Sequence, residues 1–298
     1  MATTTGSSVI ARYVTPYLLV APGLILVLGI LGYGVVAGFV LSFHKVDMFM
    51  NRTFVGFANY VAIFNDPRFQ QSLFRTLLFV VASIALGLLL SLIFALTLQA
   101  VTFGKRFFRG LSLVPYFVSG IAAAVMWRFL FSTNVGFVNL VLGSVGLPQQ
   151  SWLGDPVLAF FVAVMANCWF MVPFSTLIIL GGLLTIDKDV FDAAKIDGAT
   201  PIAIFFRISL PLIKPMLGVG LIWLSYASFS TFDIILALTS GGPFRATEVV
   251  SLYMYQVAFQ QLDFGEGAVL MVVLLSFNIV LSLGYLYFFV LGANRYRD

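Results

Sequence analysis

Residues 189–215 read "DVFDAAKIDGATPIAIFFRISLPLIKP", and this stretch interrupts a chain that is otherwise mostly apolar. Asp189, Asp192, Lys195 and Asp197 fall within nine residues, followed by Gly198, Thr200-Pro201, Pro211 and Pro215. Asp187 or Asp189 suits the N-cap of a short helix running to about Ile196, because early acids complement the helix dipole. Gly198 is placed to take a positive φ and end that helix. Thr200 then caps a second helix with Pro201 at its first position. Ile204, Phe205, Ile208 and Leu210 give this second helix an apolar stripe suited to a membrane surface. Pro211 and Pro215 bend the chain into the next apolar run. The spacing predicts a compact polar elbow over 187–215, with Val190, Ala193 and Ala194 on one face, where small side chains leave room for a partner's groove. An ordinary interhelical loop is the competing reading.

What surrounds the elbow sets its context. The 298-residue chain is 61% hydrophobic and 9% charged, with a mean hydropathy of +1.05. Soluble domains carry roughly 25% charged residues. A bilayer core about 30 Å thick needs roughly 20 apolar residues per helix. Six segments qualify, at about 16–43, 73–98, 110–131, 157–184, 212–238 and 266–291. The expected fold is therefore all-α and polytopic, one transmembrane domain over 1–298. No alternating ten-residue barrel pattern competes with it. The first apolar run is too long for a signal-peptide core, so it reads as a retained helix.

The net charge of +4 reads as topology and not as a nucleic-acid surface. With the N-terminus inside, the inner segments hold Arg12, Lys105, Arg106, Arg109, Lys188, Lys195, Arg207, Lys214, Arg295 and Arg297. The outer ones hold Lys45, Arg52, Arg68, Arg75, Arg128 and Arg245. That excess places both termini in the cytoplasm.

Several chemistries are excluded. No G-x-x-x-x-G-K-[ST] loop is present, so the chain does not bind ATP by that route. A single histidine, His44, rules out a His-rich metal site or a Ser-His-Asp triad. Neither a cofactor nor an enzymatic role is expected. Cys168 is alone, so no intrachain disulfide forms. Asp233 is the one acid read within an apolar span, whereas an ion-coupled carrier shows several intramembrane ionisable groups.

The outer segments carry local signals. In 44–72 the aromatic content exceeds that of a linker, and Asn65-Asp66-Pro67 marks a helix start. In 132–156, Phe137, Leu140 and Val141 recur at helical spacing, predicting a short interfacial helix with Trp152 at headgroup level. In 239–265, "TSGGPFRATE" predicts a tight turn, and "VVSLYMYQVAFQQLDF" a helix.

"FDAAKIDGATPIAIFFRISLPLIKP" (191–215) resembles the E-A-A-x-x-D-G-A…L-P coupling segment of ABC importer permeases of the carbohydrate-uptake type, including the maltose and glycerol-phosphate importers. "GFANYVAIFNDPRF" (56–69), "RGLSLVPYFVSGIAAAVMWRFLFSTNVGFVN" (109–139) and Asp233 to Val269 are similar to further family segments in the same order. Asp192 departs from the family's usual Glu, shortening its reach by one methylene.

The resemblance implies the type I importer fold with six transmembrane helices in a bacterial or archaeal cytoplasmic membrane. It implies a permease subunit moving a sugar or sugar-like solute. The implied partners are a sister permease in a heterodimer, an ATPase dimer holding ATP and Mg, and an extracytoplasmic solute-binding protein. Asp192, Ala193, Ala194, Asp197, Gly198 and Ala199 are the implied coupling contacts.

Solute contacts are expected from Tyr116, Ser119 and Gly120 on helix 3, and from Asn167, Phe170, Met171 and Phe174, spaced i, i+3, i+4, i+7, on helix 4. Leu224, Ser228 and Thr231 on helix 5 complete the set. Each has a plainer alternative. Asn167 also fits interhelical glue, the Phe and Met residues packing, Ser228 and Thr231 bonds to their own helix, and Asp233 gating or packing. The functional alternatives are a non-sugar solute such as a glycerophosphodiester, amine or oligopeptide, and a secondary carrier or channel without an ATPase.

Overall fold

The computed structural model describes residues 6–46 and 51–292, with side chains from residue 16 onward. The side chain of Arg12, and Arg295 and Arg297, lie outside the described residues. The chain divides into two compact units, residues 1–63 with 257–272, and 64–256 with 273–298.

In the first unit, α1 (Gly6–Val27) passes through a π-helical turn, Leu28–Gly32, into α2 (Tyr33–Leu41). None of the side chains described from 16 to 41 is buried. A long helix that is apolar on every side suits lipid as its solvent. A small hairpin follows, β1 (His44–Val46) antiparallel to β2 (Arg52–Phe54), with His44 opposite Phe54. Next comes α3 (Ala58–Asn65). Buried Asn59 donates to the carbonyls of Ser42 at 3.0 Å and His44 at 2.9 Å. Phe43 packs against Phe39, Phe57 and Tyr60. The aromatic content of this segment is thus local packing. Gly265 is glycine because a Cβ there would overlap the His44 carbonyl.

The second unit opens with α4 (Pro67–Ala100), and the expected start signal is realised. Asp66 accepts from the Arg68 N–H at 2.9 Å, and Pro67 occupies the first turn. The third apolar segment, expected as one helix over 110–131, is broken. It consists of α5 (Lys105–Ser112), a 3₁₀ turn at Val114–Phe117, extended Val118 and Ser119, and α6 (Gly120–Leu130). Pro115 sits in the turn, where its missing N–H and fixed φ end the α-helical ladder. Then come α7 (Phe137–Ser144), α8 (Pro156–Leu183) capped by Asp155, and α9 (Lys188–Ile196).

Next, α10 (Pro201–Ile204) leads by π-helical Phe205–Ser209 into α11 (Leu210–Leu212), and α12 (Lys214–Ser230) leaves at a 74° bend. The fifth segment also breaks short of its expected end, at Thr231-Phe232, before α13 (Asp233–Leu238). Asp233 therefore starts a helix after a break and does not lie inside a continuous one. The expected turn precedes α14 (Val250–Tyr255), and α15 (Phe264–Tyr285) continues as π-helix to Leu291.

Four described helical runs are long and apolar enough to cross a membrane, and the bent 201–230 pair makes a fifth. The broken third segment completes the six apolar stretches.

The core of this unit lies between α4, α8 and α12. Ser83, Gly87 and Ser91 form a buried small-residue stripe on α4, spaced four apart, which lets the helices approach closely. A Cβ on Gly87 would meet Met171 Cε at 2.8 Å. Met171 and Leu224 are both 0% exposed and fill that contact.

Candidate functional site

The elbow is built locally. Asp187 accepts from the Asp189 N–H at 3.3 Å, opening α9. At its other end the Ala199 N–H reaches the Ala194 carbonyl at 2.9 Å and the Gly198 N–H the Lys195 carbonyl at 3.0 Å. With φ +78° at Gly198, this is the paired 6→1 and 5→2 pattern of a Schellman motif. Thr200 accepts from the Ala203 N–H at 3.3 Å and starts the next helix. Val190, Ala193, Ile196, Asp197 and Gly198 are exposed. Ala194, expected on the open face, is buried at 7% exposure, because α9 turns that side toward the rest of the chain. Ile196, 87% exposed, is the large apolar group on the free side, and only its position in the last turn hinted at it. Asp192 pairs with Lys195 at 3.1 Å on the surface, an interaction of little energetic weight. On the inner side, Leu96, Phe191, Ile204 and Phe205 border a groove of about 670 Å³.

The residues expected to meet solute fall into two groups. Tyr116 stacks on Phe174, with centroids 5.4 Å apart and planes at 21°. Phe170 and Trp223 lie within 6.0 Å and 5.8 Å of the same ring. This aromatic wall is half-buried. Beside it lies a hollow of about 120 Å³, bordered by Asn167, Phe170, Trp223, Tyr226, Thr231 and Asp233. Met171, Leu224 and Ser228 do not border it. They are 0%, 0% and 1% exposed within the α4–α8–α12 core, because that stripe of each helix packs against its neighbours. Ser119 is exposed at the break before α6. Gly120 is buried, and a Cβ on it would overlap the Asp233 carboxylate. Trp223 and Tyr226 were not among the expected residues. Their signal was aromatic spacing one position away from the chosen stripe.

Asn167 has two roles. Its Nδ2 donates to Ser83 Oγ and Ser228 Oγ, both at 3.3 Å, joining three helices. The Ser228 hydroxyl spends its proton on the Leu224 carbonyl at 2.8 Å, so it can only accept from Asn167. That fixes the amide, and its Oδ1 is buried without a protein partner, as is Thr231 Oγ1.

Residues 87–291 match the family described as "binding-protein-dependent transport system inner membrane component". The chain belongs to this family. It is 36% identical over 282 residues to the trehalose/maltose transport system permease protein MalF of Thermococcus litoralis, covering 94% of each chain. It is 37% identical over 272 residues to the sn-glycerol-3-phosphate transport system permease protein UgpA of Salmonella typhimurium, covering 90% of this chain and 91% of that one. The crystal structure of a bacterial alginate ABC transporter, in complex with an alginate pentasaccharide-bound periplasmic protein, contains a similar chain. That likeness has a TM-score of 0.76 at 23% identity, over 95% of this chain and 96% of that one. The permease is thus an all-α, multi-pass membrane subunit with the ABC importer permease fold.

The permease also carries a polar knot that sequence reading missed. Arg68 Nε and Nη2 donate to the two oxygens of Glu248, at 3.0 and 2.7 Å, and Arg68 also reaches Gln256. Ser72 donates to Glu248 at 3.2 Å. The guanidinium lies 4.6 Å from the centroid of Tyr253, whose hydroxyl bonds Asp66. Arg68, read as an outer-segment charge, also serves as an internal tie, while Arg245 and the 89% exposed Phe244 stand open. Trp152, expected at headgroup level, donates to buried Asn139 at 2.9 Å and closes its own loop.

Asn167→Leu separates the two roles of the amide. Thermal unfolding of the purified transporter should show a loss of about 0.5–1 kcal/mol, the usual scale for such interhelical bonds, and half-saturating solute for uptake should rise. Ser83→Ala removes one glue contact outside the hollow, so it should lower stability alone.

Proposed function

We propose that this permease is a subunit of an ATP-driven importer that carries a sugar or sugar-like solute across a bacterial or archaeal cytoplasmic membrane, with both termini in the cytoplasm. It works with a sister permease, an extracytoplasmic binding protein and a separate ATPase dimer that holds ATP and Mg. The observation that carries the coupling part is the elbow helix Lys188–Ile196. It is capped at both ends, and Val190, Ala193 and Ile196 stand open on its free side. Such a rigid knob suits an ATPase cleft, and a knob fixed to two long helices passes rigid-body motion to them. A partner shifts the inward–outward equilibrium only through different affinity for the two states. The aromatic wall around Tyr116 supports a sugar, whose ring faces stack on aromatic surfaces while hydroxyls bind the few polar groups.

The test places a cysteine at Ala193. The one native cysteine, Cys168, is buried and does not compete. Ala193→Cys should crosslink to an ATPase cysteine in ATP-dependent yield. Absence of any such product, with uptake intact, would remove the elbow from the coupling path.

A second reading, a glycerol-phosphate or related phosphodiester as solute, has the 37% identity to the Salmonella relative behind it.

A further inference from the structure

We propose that Asp233 is a charge filter in the hollow, so that the permease accepts uncharged polyhydroxyl solutes and rejects phosphorylated or otherwise anionic ones. The inference rests on the sugar-importer reading and concerns the same hollow.

The hollow is bordered by a carboxylate, an amide and the hydroxyls of Tyr226, Ser230 and Thr231, and the two most acceptor-like of these groups are Asn167 and Asp233. Asn167 is 1% exposed, and its Oδ1, held outward from the Ser83 and Ser228 contacts, accepts only. The Asp233 carboxylate accepts only. Thr231, 5% exposed with its hydroxyl unpartnered in the protein, contributes the one O–H of these three. Among the described residues, no Lys, Arg or His borders the hollow. Asn167 Oδ1 and Thr231 Oγ1, on two residues that border the hollow, have no protein partner, and buried polar atoms of this kind take a bonding partner where one can reach them. A sugar hydroxyl supplies a donor and an acceptor together. A phosphate brings acceptor oxygens and 1.5 to 2 negative charges to a place that already holds acceptors and a carboxylate. At a separation of about 6 Å and an effective dielectric of about 20, that repulsion alone is worth roughly three to four orders of magnitude in affinity.

The carboxylate lies against the start of α6. Asp233 packs so closely on Gly120 that any side chain there would displace it. Gly120 begins an eleven-residue helix whose Ser119 N-cap makes no side-chain cap bond. The first N–H groups of a helix have no intrahelical acceptor and carry its positive end, and Asp233 lies beside that end. Gly120 leaves room for the Asp233 carboxylate. At about 120 Å³ the hollow is well below the roughly 300 Å³ of a small-molecule pocket, so it reads one edge of a ring. The larger cavity nearby, about 320 Å³ and bordered by Leu90, Phe94, Trp127, Met165 and Trp169, is nearly all apolar and offers no such discrimination.

A purely structural role for Asp233 predicts a different outcome from a filter, because Asn has nearly the shape of Asp but lacks the charge. The complete transporter, in nanodiscs and without binding protein, is titrated with three matched pairs: trehalose and trehalose 6-phosphate, glucose and glucose 6-phosphate, glycerol and sn-glycerol 3-phosphate. For the pair that binds, the wild type should prefer the neutral member by at least about tenfold. Asp233→Asn should collapse that preference to within about threefold, and Asp233→Glu should restore it. Should the Asn variant fail to assemble, Asp233→Ser carries the same expectation. Equal or tighter binding of the phosphorylated member by wild type, or an unchanged ratio in the Asn variant, overturns the filter and leaves a sugar importer standing. If no neutral member binds even at tens of millimolar, the sugar reading fails and takes the filter with it.

Discussion

Replacing Arg68 with alanine is expected to lower the stability of the permease by about 3 kcal/mol, the lower end of the cost of leaving one partner of a buried ion pair behind. Glu248 is 3% exposed at its side chain and Arg68 23%. Without the guanidinium, the carboxylate keeps the Ser72 hydroxyl but loses its counter-charge and two bonds. The same change strips the cation from the Tyr253 ring. Replacing both residues with apolar groups, Arg68→Met with Glu248→Leu, should recover most of the loss, because neither charge then has to be desolvated. Thermal unfolding of detergent-purified transporter reads both. A single variant within about 0.5 kcal/mol of wild type, the usual scale of a surface substitution, would mean that the pair is a surface contact in effect.

The second large effect is expected on transport. Gly198→Val should reduce solute uptake at least tenfold while leaving membrane insertion intact. The cause is the backbone alone. Gly198 sits at φ +78°, and a Cβ built on it meets nothing within 4 Å. A β-branched residue there costs about 1–3 kcal/mol in backbone strain and opposes the Schellman turn that ends α9. Asn tolerates the left-handed region far better, so Gly198→Asn should stay within about threefold of wild type. Comparing the two variants by uptake in proteoliposomes isolates backbone angle from side-chain bulk. Equal losses in both would point to a steric contact with a partner at Gly198.

Features determined by near neighbours were legible in the sequence. Asp66-Pro67, Asp187, Gly198 and Thr200-Pro201 each sit next to the backbone group they satisfy, and each appears as expected. The six apolar stretches follow from bilayer thickness. What escaped depends on distant partners. Arg68 and Glu248 are 180 residues apart, so no local pattern links them. Of the expected Leu224, Ser228 and Thr231, only Thr231 borders the hollow, beside Trp223, Ala227 and Ser230. One residue of rotation on α12 turns Leu224 and Ser228 into the core instead, and the packing of α4 and α8 makes that choice. The breaks at Val118–Ser119 and Thr231–Phe232 were signalled only by Pro115 and a few polar residues, whereas hydropathy reads straight through them.

The distance along the chain between Arg68 and Glu248 has a further consequence, for synthesis. At about 5–20 residues per second, Arg68 leaves the ribosome on the order of 10–40 s before its partner exists. Through that interval the guanidinium of a half-made permease must stay hydrated, so the start of α4 cannot settle into its final seat. The pair closes only when nearly the whole chain has been made, which makes it a late fastening, and a chain truncated before residue 248 never acquires it.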